Sequence, residues 1–332
     1  MQEKLSPAEF LRLAKHIPVV DVRSPKEYDQ GHIPGAYSIP LFTDEERAIV
    51  GTTYTTTGNQ KAISTGLAIV GPKLQDYVAE ARKIAANGKI LVHCWRGGMR
   101  SEAMAWLFSF SGIDTNVLEG GYKAYRKHIR ESFHHGPDLK VLGGMTGSGK
   151  TELLQKLKES GEQVIDLERL ANHKGSAFGS LGQGEQPTNE QFENELAKDW
   201  MALDAEKPVW VEDESLNIGK VILPDALYNK MREARLVFVD VPFELRVERL
   251  VRDYGQFDDK DLIPVIQHIS KRMGGDVTKK AIDAMAKKDV KQAIEIVLAY
   301  YDRTYLYSIS KRNENSIIKI PISDFTFTSN VH

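Results

Sequence analysis

The stretch KVLGGMTGSGKTELLQKLKESG, residues 140–161, constrains the fold more than any other part of the chain. The apolar pair Val141–Leu142 leads into Gly144, four further residues, then Gly149, Lys150 and Thr151, after which apolar residues recur at helical spacing. A strand that hands over to a helix through a glycine-rich turn aims backbone N–H groups at one point, and such a point holds phosphate. We expect Gly144, Thr146, Gly147, Ser148 and Gly149 to form the cradle. Lys150 would add a point charge, and the Thr151 hydroxyl would suit Mg2+. Around this turn, the strand patterns QVIDLE, PVWVEDE and RLVFVDV alternate with the helical patterns NEQFENELAKDWMALDA and FELRVERLVRDYG. That alternation calls for a parallel sheet covered on both faces. Residues 261–305 read as mostly helical, and SIIKIPI as a late strand.

A second strand-to-helix turn precedes the first. KILVHCWRGGMRSEAMAWLF, residues 89–108, contains the only cysteine, Cys94. A thiol reacts as its thiolate, and converging amides or nearby guanidinium groups favour that form. Gly97 and Gly98 let the loop curl toward the sulfur, and Arg96 and Arg100 supply positive charge for an anion. The expectation is a thiolate at the focus of amide dipoles, open to an incoming electrophile. Trp95 either stacks on a base or packs under the loop. The strands PVVDV and TNVLEGG and the helices SPAEFLRLAKH, PKLQDYVAEARKIAANG and YKAYRKHIRESF complete a first α/β pattern, with Ser6 and Glu9 as a capping box. HHGPDLK, residues 134–140, reads as a linker, which divides the chain into domains 1–134 and 135–332.

Composition narrows the setting. No apolar run reaches the ~18 residues of a membrane span, the N-terminus lacks a signal-peptide pattern, and a single cysteine fits a reducing, cytoplasmic protein with no membrane partner. Net charge is −2, so nucleic acid would need a local patch. Two clusters qualify: Lys123, Arg126, Lys127 and Arg130, and a longer one holding Lys271, Arg272, Lys279, Lys280, Lys287, Lys288 and Lys291. Each reads equally as a solvated helix face. Three carboxylates, Glu212, Asp213 and Glu214, end a strand; they either reach Mg2+, directly or through water, or are ordinary solvated groups. Arg246, Arg249 and Arg252 recur at spacing three, so Arg249 either faces phosphate or an outer surface.

HCWRGGMRS matches the H-C-x-x-G-x-x-R-S loop of cysteine phosphatases and also resembles the active-site loop of rhodaneses. DVRSPKEYDQGHIPGA, residues 21–36, is similar to the rhodanese motif and separates the two. In it, Asp21 and Arg23 read as scaffold rather than catalysis. A rhodanese-like parallel-sheet domain followed by a P-loop NTPase/kinase-like α/β domain with a helical C-terminal region resembles the tRNA 2-selenouridine synthase family. The further segments VGTTYTTTGNQKAISTGLAIVGPK, LEGGYKAYR, DLERLANHKGSAFG, QFEN and VEDESLNIG carry the same resemblance. It implies replacement of sulfur by selenium in wobble 2-thiouridine of tRNA. The co-substrates would be selenophosphate and geranyl diphosphate, the route an S-geranyl intermediate, and the partners tRNA and a selenophosphate-supplying enzyme. No tightly bound cofactor is implied, apart from Mg2+ at Thr151. The resemblance also draws Asp166, His173, Ser176 and Phe178 into the candidate site, although His173 reads also as polar surface and Phe178 as part of a small local core. Two alternatives stay open: an ATP-dependent sulfurtransferase/kinase fusion, and a cysteine phosphatase fused to a P-loop domain.

Overall fold

The computed structural model describes residues 3–85, 87–176, 179 and 181–323. The chain divides between Ser132 and Phe133 into two compact units.

The first unit contains β1 (Lys4–Leu5), α1 (Pro7–Ala14), β2 (Val19–Asp21), α2 (Pro25–Gln30), β3 (Tyr37–Ser38), α3 (Asp44–Thr57), α4 (Asn59–Val70), α5 (Leu74–Ile84), β4 (Lys89–His93), α6 (Met99–Phe110), β5 (Asp114–Leu118) and α7 (Gly121–Ser132). The expected capping box starts α1: the Ser6 hydroxyl accepts from Glu9 N at 3.4 Å, and Ser6 N donates to the Glu9 carboxylate at 3.1 Å. All strands pair in parallel, in the order β1-β5-β4-β2-β3. Central β4 is apolar on both faces because helices cover both; Ile90, Leu91 and Val92 are buried. Each such side chain contributes roughly 1.5–3 kcal/mol by leaving water. The β4 C-terminus, where a parallel sheet opens its crevice, delivers Cys94. The α3–α4 pair has a largely exposed surface, and its threonine hydroxyls turn back onto the helix, as in Thr53 Oγ1 to Ile49 O at 2.8 Å.

The second unit contains β6 (Leu139–Gly144), α8 (Lys150–Glu159), β7 (Gln163–Ile165), α9 (Leu167–Ala171), α10 (Asn189–Met201), β8 (Val209–Glu212), β9 (Asn217–Ile218), β10 (Val221–Ile222), α11 (Asp225–Glu233), β11 (Arg235–Asp240), α12 (Phe243–Tyr254), α13 (Asp259–His268), α14 (Ser270–Met273), α15 (Gly275–Ala286), α16 (Val290–Ile309) and β12 (Ile317–Pro321). Its parallel sheet runs β12-β11-β6-β8-β7, with β6 in the middle, so the phosphate turn leaves the sheet centre. Leu142, Leu153, Leu154, Trp210 and Val239 belong to one core cluster of this unit. A separate apolar cluster, including Leu250, Leu262, Ile266, Met285, Val297 and Leu298, ties the C-terminal helices together. The segment HHGPDLK is only in part a linker, because Leu139 and Lys140 already belong to β6. No helix among the described residues is long and apolar enough to cross a membrane.

Candidate active sites

The cysteine loop is locked onto the start of α7. Tyr122 N donates to Cys94 O at 2.8 Å, and Lys123 N to Trp95 O at 3.0 Å. Glycines make the close approach feasible. Gly97 has φ +63°, and a Cβ there would lie 2.5 Å from Leu118 O. Gly121 has φ +60°, and a Cβ there would lie 2.3 Å from Gly97 N and 2.4 Å from Cys94 O. Gly98 precedes the first turn of α6, and the Cys94 Sγ lies 3.2 Å from Ser101 Oγ and 3.9 Å from Gly98 O.

Two expectations about this loop need correction. Cys94 is not open: it is 3% exposed and belongs to the apolar core. Nor do both arginines face an anion. Arg96 is exposed, but Arg100 turns away to Glu27, at 2.6 and 3.3 Å. Glu27 is fixed in place because it also accepts from Ser24 N at 3.1 Å at the start of α2. Burial opposes its charge, yet Arg100 keeps the Glu27 carboxyl below the ordinary carboxylate range. Asp21 and Arg23 are scaffold, as expected. Both are fully buried; Arg23 Nη2 donates to Asp21 Oδ2 at 2.6 Å and to Gly31 O at 2.7 Å, and its guanidinium lies 3.7 Å from the Tyr122 ring centre. His93 is buried beside them, and burial pushes it down to about 4 despite Asp21. Trp95 is half-buried, tilted against Tyr122.

The phosphate loop joins β6 to α8. Gly147 and Gly149 take φ +82° and +79°, and Lys150 Nζ donates to Gly144 O at 3.0 Å. Ser148 Oγ is buried without a hydrogen-bond partner among the described residues. Support comes from behind. Gly144 N donates to the Tyr305 hydroxyl at 3.0 Å, which donates to Asp213 Oδ2 at 2.9 Å, and Arg312 Nη2 donates to Asp213 Oδ1 at 2.7 Å. From α12, Arg246 donates to Thr146 O at 3.1 Å while paired with Asp302 at 2.7 Å. Arg249 pairs instead with Glu152, at 2.6 Å.

The three carboxylates at the end of β8 have three different fates. Asp213 is held in the Tyr305–Arg312 network, which corrects its expected availability to Mg2+. Glu212 is buried and accepts from Leu167 N at 3.0 Å, and burial, with Asp166 and Glu168 nearby, raises it well above the usual range. Only Glu214 reaches the loop region: burial and then Glu168 push it up to about 8, against the pull of Lys150. A Cβ at Gly175 would sit 2.3 Å from Glu214 Oε1 and 2.9 Å from Glu168 Oε1, so the two carboxylates face each other across that glycine. Thr151 Oγ1 donates to Glu168 Oε2 at 2.9 Å. Among the described residues, no group of three His, Cys, Asp or Glu side chains is placed to hold a metal. Mg2+ bound chiefly through phosphates needs only one or two protein oxygens, and Thr151 and Glu168 fit that need.

Of the remaining candidates, Asp166 caps α9 by accepting from Arg169 N at 2.8 Å. His173 is half-buried and lowered by burial. Ser176 hydrogen-bonds the Tyr254 side chain. Phe178 lies outside the described residues. Sequence reasoning missed Glu27, Glu168, Tyr305 and Arg312. Glu27 and Glu168 sit inside motifs already singled out, whereas Tyr305 and Arg312 carry no local signal.

Comparison with known proteins decides the family. The family described as tRNA 2-selenouridine synthase AAA domain matches residues 137–325, and the rhodanese-like domain matches residues 6–128. The chain belongs to the tRNA 2-selenouridine synthase family. It is 34% identical to the tRNA 2-selenouridine synthase of Nitrosomonas europaea over 91% of both chains, and 35% identical to that of Pseudomonas fluorescens over 89% of both. The Bdellovibrio bacteriovorus synthase is 39% identical over 72% of this chain and 65% of its own length. Membership of the tRNA 2-selenouridine synthase family makes the protein an enzyme, and makes its two units a rhodanese-like domain and a P-loop domain.

Proposed function

We propose that the protein converts 2-thiouridine at the wobble position of tRNA to 2-selenouridine, with selenophosphate as selenium donor, through an S-geranyl-2-thiouridine made from geranyl diphosphate. The observation that carries this reading is the pairing of a phosphate cradle with a single cysteine held at a sheet's C-terminal end, in a chain related along most of its length to proteins named for this product. In the geranylation step, the thiocarbonyl sulfur attacks C1 of the geranyl group. The C–O bond breaks, diphosphate leaves with the electron pair, and the uridine N3 proton goes to solvent. Loop amides and Lys150 stabilise the negative charge that grows on the leaving diphosphate. Thr151 and Glu168 offer oxygen to a Mg2+ that would add charge neutralisation there. Cys94 serves the chalcogen step: selenophosphate selenium bonds to C2, geranylthiolate leaves with the C–S electron pair and takes up a proton, and water cleaves the P–Se bond, releasing phosphate and returning a proton to N3. Arg96 is the exposed cation on that loop for the selenophosphate anion. Because Cys94 is buried, the loop opens when its substrate arrives. A selenophosphate-producing enzyme supplies the donor.

The test is incubation of the protein with 2-thiouridine tRNA and geranyl diphosphate, followed by mass analysis of nucleosides. A gain of one geranyl group supports the reading; no gain together with ATP hydrolysis refutes it in favour of a nucleotide-using enzyme. Cys94→Ala should stop selenation and leave geranylation, and Lys150→Ala should abolish geranylation. Loss of both steps in Cys94→Ala would refute the division of labour.

A further inference from the structure

The two basic clusters in the sequence become unequal once folded. Helix α7 buries Tyr122, Tyr125, Arg126 and Ile129, so Arg126 leaves the basic surface. Lys123, Lys127 and Arg130 are exposed. At 100° per residue, spacings of four and three put all three on one narrow stripe, with neighbours about 5–6 Å apart. That repeat is on the scale of successive phosphates along one nucleic-acid strand. The stripe also has a fixed origin. Lys123 N donates to Trp95 O, so the backbone that carries the first cation is bonded to the cysteine loop, one residue from exposed Arg96 in sequence. Glu131 lies 3.7 Å from Lys127, a solvent-exposed pair of little strength.

The second cluster is more broken up. Asp276, Asp283 and Asp289 interrupt it. Lys288 is paired with Asp259. Its cations spread over α14, the middle of α15, the α15–α16 turn and the start of α16 rather than along one helix.

We infer that the exposed α7 stripe, Lys123–Lys127–Arg130, is a docking track for the phosphate backbone of tRNA, leading the strand toward the cysteine loop. The inference rests on the tRNA reading above and adds the surface that reading lacks. Backbone contacts of this kind position a strand without reading its bases, and each releases counterions. The track therefore confers salt-dependent affinity, while choice of nucleotide lies elsewhere.

The experiment measures binding of tRNA carrying 2-thiouridine to the full-length protein between 50 and 300 mM salt. It compares wild type, the triple variant Lys123→Ala/Lys127→Ala/Arg130→Ala and the control triple Lys279→Ala/Lys280→Ala/Lys287→Ala. Loss of the stripe should weaken binding on the order of a hundredfold at physiological salt. It should make the log–log salt slope shallower by about 3, whereas the control should bind as wild type does. Equal binding by wild type and the stripe variant overturns the track while leaving the tRNA reading intact. A control triple that loses as much as the stripe variant also overturns it. Failure of the wild type to bind tRNA at any salt overturns both. Should the triple variant melt early, Lys127→Ala alone, exposed and outside the loop contacts, carries the same test with a slope change of about 1.

Discussion

Gly121→Ala isolates what the interlock between the cysteine loop and α7 contributes. The new methyl would lie 2.3 Å from Gly97 N, 2.4 Å from Cys94 O and 2.8 Å from the Arg96 carbonyl carbon, all backbone atoms that no side-chain rotation can move. Alanine at φ +60° adds left-handed strain, and separating the two segments breaks the hydrogen bonds to Cys94 O and Trp95 O. Together these cost about 3–4 kcal/mol. The sum is less than the stability of a typical domain, so the unit stays folded while its loop opens. Because Cys94 is the only cysteine and is buried, its alkylation by iodoacetamide, followed by intact mass, reports loop opening without ambiguity. The variant should alkylate on the order of a hundredfold faster or more. It should lose selenation and keep geranylation. Gly112→Ala is the control: φ is +86°, yet nothing lies within 4 Å of its Cβ, so strain comes without collision. Alkylation of Gly121→Ala at the wild-type rate, with selenation intact, would refute the claim that this contact holds the thiol in place.

Three further outcomes follow from the buried polar groups. Arg23→Ala leaves the Asp21 carboxylate buried beside neutral His93 and removes the bond to Gly31 O; the rhodanese-like unit should lose about 3–5 kcal/mol in urea unfolding, and a loss under 1 would contradict the buried-pair argument. His93 is held neutral, lowered from 6.5 to about 4 by burial, so the unfolded chain takes up its proton first as pH falls. Stability should be fully present above about pH 6.5 and decline by about 3 kcal/mol toward pH 4; a flat unfolding profile over that window would count against it. Tyr305→Phe strips Gly144 N of its acceptor, which should cost about 1–3 kcal/mol and weaken inorganic pyrophosphate binding, as read by calorimetry; unchanged affinity and melting would mean the hydroxyl is dispensable.

How far the sequence reached follows from where each interaction lies along the chain. The phosphate turn and the cysteine turn were legible because strand, glycines and helix are contiguous, and local sterics alone dictate the shape. Asp21 and Arg23, two residues apart, were legible as scaffold for the same reason. What pairing partner a charged side chain chooses was not. Arg100 looked like an anion ligand because its neighbours in sequence are glycine and cysteine, but Glu27, 73 residues away, is brought to it by the packing of α2. Asp213 looked like a metal ligand for the same kind of reason, and Arg312, 99 residues on, takes it. The buried state of Cys94 also depends on distant chain, since Gly120–Gly121 close over the loop from the end of β5. A motif therefore specifies the direction of backbone groups, while the tertiary fold decides which of its side chains remain free to act. In this chain that selection leaves Arg96 exposed at the cysteine loop, and at the phosphate loop it leaves Lys150 and the facing pair Glu168 and Glu214. A substitution series meant to find catalytic groups should weigh these four above Arg100 and Asp213, whose replacement would chiefly disturb packing.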